Sequence, residues 1–527
     1  MINYWWVTRP KRKLDSIPET LTMFAAISLN QEWSGSRATH IQYEDALEAA
    51  GLKRVGSRRD QGGSGGRTYR AWLESLGLTF IHESTGNVKL TLAGEAIIAG
   101  DSPVEVLRNQ VLKYQFPSAF SIGRNVNVSS RFKIRPFRFL LRLLTDSRVE
   151  YLTQDEIGKI IIVEAENETE RCYEHVVSKL LDYRENGDSC LDADFATKYK
   201  PSRGPAKPHD PYSHLIDVAN TIINWLEYTQ LAHRNEARQL VALEDKLDEI
   251  NAILNTRLPF IDRPESHEYF QRKYGLDPKH RKDTRNLENT KTITERIIAE
   301  QKIKHAFVKL SITRPISSIT PDLIAEIAAQ TGILDTIVED VLWRTYPHGS
   351  IGAFMASYFE MAFKGTEEAI AFEKATTELF STVFKYNTTH LGQTGSKSAP
   401  DILLLSDSDG YQAIIDNKAY SKYSITGDHH NRMVHNYIDK LDTYSHSSYP
   451  LAFFSYIAGG FANQIDKQIL AEVNESGING SGITVTNFIK MIEQQTASPN
   501  TYTHSNLREL FSLNRQIRLT DLSPQVA

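Results

Sequence analysis

Pro400-Asp401, a short apolar run, and then Asp416-Asn417-Lys418 make up the stretch of this chain whose residue types and spacing best suit hydrolysis of a phosphodiester. The two acids stand 15 positions apart, and the lysine follows the second by two. Alternate side chains of a strand share a face, so Asp416 and Lys418 should point the same way. Asp401 should begin the strand Ile402 to Leu405, and a hairpin into Gln412 to Asn417 would bring it beside Asp416. Two hard carboxylates with open coordination positions suit Mg²⁺ or Mn²⁺, which take oxygen ligands and keep several waters. Such an ion lowers the pKa of a bound water and offsets charge building on phosphate. Lys418 can orient the attacking water or stabilise the transition state. The competing reading is a turn aspartate and a surface Asp/Lys pair on an edge strand. Apolar flanks on both predicted strands favour the first, and an upstream helix, Glu367 to Tyr386, offers Glu378 as a further member of the metal environment.

The elements that must position these groups form an α/β region from residue 351 onward. After the hairpin the pattern predicts a helix over about Arg432 to Tyr444, strands at Leu451 to Ile457 and Ile483 to Val485, and a helix from Asn487. Alternating strands and helices imply a mixed sheet covered by helices. Before the hairpin lies a polar loop, Gln393 to Ser398. Asp428-His429-His430-Asn431 reads as a polar turn leading into the helix, because a histidine-metal nuclease needs ligands from a hairpin and a facing helix.

The first 250 residues read differently. A helix over Gln42 to Ala50, a glycine-rich basic loop Lys53 to Arg70, a helix ending at Gly77, and two strands around Ser84-Thr85-Gly86 give a winged-helix arrangement, a form of helix-turn-helix. A second block follows over about 131–250. It holds an amphipathic helix Phe137 to Leu144, a capping box Thr153/Glu156, helices Tyr173 to Tyr183 and His214 to Tyr228, and a strand near Gln239 to Leu243. Trp5-Trp6 reads as a packing anchor. Residues 251–350 read as a helical linker, with Lys279 to Arg285 solvated and Thr320-Pro321 starting a helix. The expected fold class is therefore multidomain α+β: an N-terminal DNA-recognition region (1–250, with winged-helix subdomains about 1–130 and 131–250), a helical linker (251–350), and a C-terminal α/β domain (351–527), which the family resemblance given below implies to be restriction-endonuclease-like, of the PD-(D/E)xK type.

Charge is distributed to match. The chain of 527 residues carries a net charge of -5, yet residues 1–150 hold 21 Lys+Arg against 14 Asp+Glu. That asymmetry points to local phosphate binding. Candidate DNA contacts are Arg54, Arg58, Arg59, Arg67 and Arg70 in and after the glycine-rich loop. A second cluster is Arg131, Lys133, Arg135 and Arg138, and a third is Lys198, Lys200, Arg203 and Lys207. Most would touch phosphate and a few would read bases. Apolar runs fall short of a membrane span, no signal peptide is expected, and two cysteines, Cys172 and Cys190, fit a reducing compartment, here a prokaryotic cytoplasm. No ATP-binding GKT or GKS motif occurs, which argues against an energy-driven restriction complex.

His390-Leu391-Gly392, Pro400-Asp401, and Ile414-Ile415-Asp416-Asn417-Lys418-Ala419-Tyr420-Ser421 together resemble the cleavage domain of FokI, a type IIS restriction endonuclease, over roughly residues 370–490. Thr68-Tyr69, Leu90 to Glu95 and Leu112 to Ser118 resemble the AlwI-like type IIS family. The resemblance implies Asp401 and Asp416 as metal ligands, Lys418 as the catalytic lysine, and Glu378 at the matching helix position. It implies double-stranded DNA as the partner, a transient homodimer through the nuclease domain, and a cognate DNA methyltransferase as functional companion. Arg432 and Asn436 stand where FokI carries an Asp/Arg pair that joins two cleavage domains, so the reciprocal charges are missing. A site-specific nicking enzyme or subunit, and a DNA-binding protein with an inert nuclease-like domain, remain the alternatives.

Overall fold

The computed structural model describes residues 2–56, 61–118, 128–201, 209–263, 265–288, 295–392 and 399–522. Two compact units emerge: residues 1–309 with 320–347, and residues 310–319 with 348–527.

In the first unit, helices Ile17–Ser28, Arg37–Ala49 and Ser64–Ser75 precede an antiparallel hairpin, Thr79–Ile81 with Val88–Leu90. This is the winged-helix order. Its core is aromatic: Phe24 lies edge-on to Trp33 and Tyr43 at 5.1 and 5.0 Å, and Trp72 is fully buried. Ser64–Ser75 begins inside the stretch read as a loop, because Gly63 takes a left-handed φ of 74° and lets the chain turn into the helix. The second block contains Pro136–Leu144, Glu170–Asn186 and Ser213–Tyr228 beside a small sheet ordered Tyr151–Leu152, Leu240–Ala242, Ala232–Arg234. The capping box forms: Glu156 N donates to Thr153 Oγ1 at 3.2 Å and Thr153 N to Glu156 Oε2 at 2.6 Å. Trp5 is buried in this block rather than in the one it precedes, with Nε1 donating to Ala165 O at 2.7 Å.

The stretch read as a solvated linker is fastened down. Asp283 accepts from Arg285 Nε at 2.9 Å and from Arg272 Nε at 3.1 Å, and Lys279 pairs with Asp101 at 2.6 Å. Burial would raise the Asp283 carboxyl, but these hydrogen bonds bring it down to about 2. Residues 251–309 and 320–347 belong to the first unit, including the helix Pro321–Thr331 capped by Thr320.

The second unit is built on a six-stranded sheet. Its order is Arg515–Ile517, Asn479–Thr484, Leu451–Ala458, Tyr411–Lys418, Ile402–Ser406, Asn387–His390. The hairpin side is antiparallel, and Tyr411–Lys418 pairs in parallel with Leu451–Ala458. Helix Ala369–Thr382 packs against the hairpin strands. On one side Ile414, Phe454 and Tyr456 join Met433, Tyr437, Ile465 and Ile469 in a closed core. The helix expected over 432–444 starts earlier, at Gly427–Asn431, continues as a wider π-helical turn Arg432–Ile438, and ends in a short turn Leu441–Thr443. Strand pairing is tight at Gly480, where an added Cβ would sit 2.2 Å from the Phe454 ring. Gly480→Ala is expected to cost about 1–3 kcal/mol by overpacking, measured by denaturant unfolding. An unchanged midpoint would show that the Phe454 ring has room to move.

Candidate active site

Tyr411–Lys418 is buried along its length until Lys418, and it lies between a strand running against it and a strand running with it. Ile402 pairs with Ile415, so the residue before it, Asp401, arrives at the end of the hairpin beside Asp416. Asn417 N donates to Asp401 Oδ2 at 2.7 Å. Alternation puts Asp416 and Lys418 on one face, and Lys418 Nζ lies 2.6 Å from Asp416 Oδ2. The other face is fixed by Asn417, whose Nδ2 donates to Thr376 Oγ1 at 2.7 Å on helix Ala369–Thr382. The three residues singled out from the sequence thus converge.

The electrostatics are strained. Burial pushes the Asp401 carboxyl well above its usual range, and the neighbouring Asp416 pushes it further. Lys418 is nearly buried. Desolvation alone would lower it, but Asp416 and Asp401 hold it above the ordinary lysine value. Asp416 is only 3% exposed, and its Oδ1 is buried without a hydrogen-bond partner. One ammonium therefore faces two carboxyls, and one carboxylate oxygen is left for another cation.

Helix Ala369–Thr382 contributes a different acid from the one expected. The charges acting on Asp401 include Glu373, whereas the charge acting on Glu378 is Arg314. Glu373 Oε2 lies 3.0 Å from His390 Nε2 and sits where a Cβ on Gly392 would fall. Residues 373 and 378 flank opposite sides of the buried stripe Phe372, Ala375, Thr376, Leu379, so only one of them can face the hairpin end. Among the described residues no three metal-ligating side chains come together. Two carboxylates are nevertheless enough for an ion that keeps waters and shares substrate oxygens. The histidines near 430 serve other partners: His430 Nε2 lies 2.8 Å from Glu475, His435 Nδ1 lies 3.1 Å from Asp439, and His429 Nδ1 lies 3.1 Å from the Tyr423 hydroxyl.

The basic residues singled out in the first unit divide into two sets. Arg54, Arg67, Lys133, Lys198 and Lys200 are exposed. Arg70, Arg131, Arg135 and Arg138 work inside the fold. Arg70 is buried and donates to Glu74 at 3.1 Å. Arg131 pairs with Glu166 at 2.7 Å and donates to Val163 O, and Arg135 holds Glu168 while its guanidinium lies over Phe260. Arg138 donates to the carbonyls of Leu254 and Thr256 at 3.1 and 2.8 Å. The second cluster is therefore not a single basic surface, because acids 30 or more residues downstream take up its guanidinium groups. Arg58, Arg59, Arg203 and Lys207 lie outside the described residues.

The sequence of residues 332–518 matches the family model described as FokI, cleavage domain. This segment is similar in sequence to the cleavage domain of FokI. The matched range contains Asp401, Asp416, Lys418, Glu373 and the whole six-stranded sheet. No curated protein matches the chain. Among solved structures, the restriction endonuclease FokI is 15% identical, with 98% of this chain and 100% of that one covered at a TM-score of 0.28. FokI bound to DNA gives 14% identity, 98% and 99% coverage and a TM-score of 0.28. The BpuJ1 endonuclease binding domain, in complex with pyrene- and phenanthrene-modified DNA, is 15% identical, covering 52% of this chain and 96% of its own at a TM-score of 0.34. Likeness at that level carries no residue roles across.

Asp401 gives a direct physical check. Its folded value lies above the unperturbed aspartate value of about 3.9, so the buried acid costs stability increasingly as pH rises beyond that point. Asp401→Asn is expected to raise the melting temperature of the metal-free protein at pH 8, with the difference shrinking towards pH 4. Calorimetry showing the same difference at both pH values would mean that the carboxyl is not strained.

Proposed function

We propose that the chain is a type IIS restriction endonuclease that binds a short asymmetric double-stranded DNA site through its N-terminal unit and hydrolyses phosphodiester bonds a few base pairs outside it. The observation that carries this is the convergence of Asp401, Asp416 and Lys418 at one strand end within the FokI-type domain.

Asp401 and Asp416 would hold a divalent cation, Mg²⁺ or Mn²⁺. The fit rests on the unpartnered Asp416 Oδ1 and on a carboxyl pair whose repulsion a cation would relieve. When bound, that ion would neutralise charge on the scissile phosphate and make water a better nucleophile. The protein's own groups do the rest. Asn417 N–H fixes Asp401, and the peptide geometry of the strand fixes Asp416 relative to Lys418. Lys418, positively charged at neutral pH, orients the attacking water and stabilises charge on the phosphate oxygens. Glu373, held by His390, is the helix acid best placed to adjust this environment, and Glu378 keeps that role only if the helix turns.

DNA would be held by the exposed cations of the first unit together with Arg58, Arg59, Arg203 and Lys207. Arg432 and Asn436 are engaged along their own helix, with Asp428 at 2.7 Å and Lys440 at 3.1 Å. A transient homodimer of cleavage domains, cutting both strands, would therefore rely on contacts other than a reciprocal Asp/Arg pair, and a lone domain would nick. Protection of host DNA would fall to a cognate methyltransferase.

Incubation with plasmid and Mg²⁺, followed by sequencing of the ends, should give breaks at a fixed offset from one short sequence. Asp416→Ala and Lys418→Ala should each lower the rate at least about 10³-fold while leaving DNA affinity nearly unchanged. Persistent cleavage by Asp416→Ala would end the proposed mechanism. Arg58→Ala with Arg59→Ala should weaken DNA binding and reduce the slope of log K against log salt by about 2, measured by fluorescence anisotropy. An unaltered slope would remove that loop from the interface.

A further inference from the structure

Helix Ile465–Ser476 carries an acid that the proposed chemistry does not use. Glu472 is fully buried. Its Oε1 accepts from the Tyr456 hydroxyl at 2.9 Å, and its Oε2 is buried without a hydrogen-bond partner. Tyr456 is the register partner of Asp416 on the neighbouring strand, so Glu472 lies beyond the Tyr456 ring on the same face of the sheet as Asp416. The Tyr456 ring lies 5.5 Å from that of Tyr423, and Lys418 Nζ lies over the Tyr423 ring at 5.9 Å. A continuous buried stack thus runs from Glu472 to the ammonium of Lys418.

An isolated buried carboxylate is costly unless it is paired and fully hydrogen-bonded, and a neutral acid avoids that cost. The titratable groups facing Glu472 are few. His430 Nδ1 approaches at 4.0 Å but turns its other nitrogen to Glu475. Asp416 and Glu475 oppose a charge on Glu472, while Lys418 and Tyr456 favour it. Burial outweighs the last two and pushes the carboxyl up to about 8.

We infer that Glu472 is a positioning residue for Lys418: through the Tyr456 and Tyr423 rings it governs whether the ammonium stays directed at Asp416 and the phosphate. Ionised Glu472 would place a second negative charge behind the Tyr423 ring and draw the ammonium back from the reacting face. The charge state of one residue on the helix that covers this face of the sheet thereby sets the upper end of the working pH range. This inference rests on the nuclease reading, since it concerns the same lysine.

The test uses the full-length protein and its plasmid substrate, with single-turnover rates measured from pH 6 to 9.5. The quantity read is the rate of Glu472→Gln divided by that of the wild type, which cancels every ionisation common to both. A ratio near 1 at pH 6.5 that rises at least about threefold by pH 9, with DNA affinity unchanged, supports the inference. A ratio that stays flat across the range overturns it, since a purely structural loss would be independent of pH. Tyr456→Phe is the second variant, because it removes the hydrogen bond that favours the ionised form. Its own alkaline fall in rate should begin at higher pH than that of the wild type, and a fall at the same pH overturns the inference equally. If the wild type does not cut at all, the nuclease reading fails instead, so the two failures are distinguishable.

Discussion

Mutual repulsion between Asp401 and Asp416 is the constraint around which the second unit is arranged. Both groups are taken out of water at a strand end, where the Lys418 ammonium lies 2.6 Å from Asp416 and its charge also acts on Asp401. The fold holds them there against that repulsion by covalent and backbone means: a hairpin whose register is set by five paired residues, and a peptide N–H pointing at Asp401. Each pair of strands added beyond the hairpin makes the position harder to relax. Stability is given up at this point.

The packing on the two faces of that strand is unequal in kind. Below Asn417 the contact is a direct hydrogen bond to Thr376, which also meets the Tyr358 hydroxyl at 2.8 Å. Behind Asp416 and Lys418 the contact is a bank of tyrosines, Tyr423, Tyr437 and Tyr456, with the acid Glu472 beneath. One face fixes the backbone, and the other tunes the charge carried on it.

Much of this was legible in the chain because it is local. The 15-residue spacing, the alternation across Asp416 and Lys418, the wing hairpin, the Thr153/Glu156 capping box and the Thr320-Pro321 helix start each depend on neighbours a few positions away. Long-range pairing was not legible. Choosing Glu373 over Glu378 requires knowing which flank of a buried stripe meets the hairpin, and helical periodicity alone leaves both flanks equivalent. Asp283 looked solvated because its partners, Arg272 and Arg285, are themselves charged, and only the fold shows that they converge on it. The arginines at 131, 135 and 138 resembled a nucleic-acid surface for the same reason, since Glu166 and Glu168 claim the first two and the carbonyls of Leu254 and Thr256 the third from a distance in sequence. Glu472 gave no signal at all, being one glutamate on an amphipathic helix.

The docking of Trp5 has a consequence for how this protein can be divided. Its indole enters a block whose other parts begin about 130 positions later, bonding to Ala165 and stacking edge-on against Phe139 at 6.2 Å. Trp5 N also donates to Ile162 O at 2.8 Å. The residues around Trp5 therefore complete the second block of the first unit, although the helices and hairpin of the first block follow them in the chain. Dividing the first unit would mean moving a non-contiguous piece, because a single cut near residue 130 separates neither block cleanly.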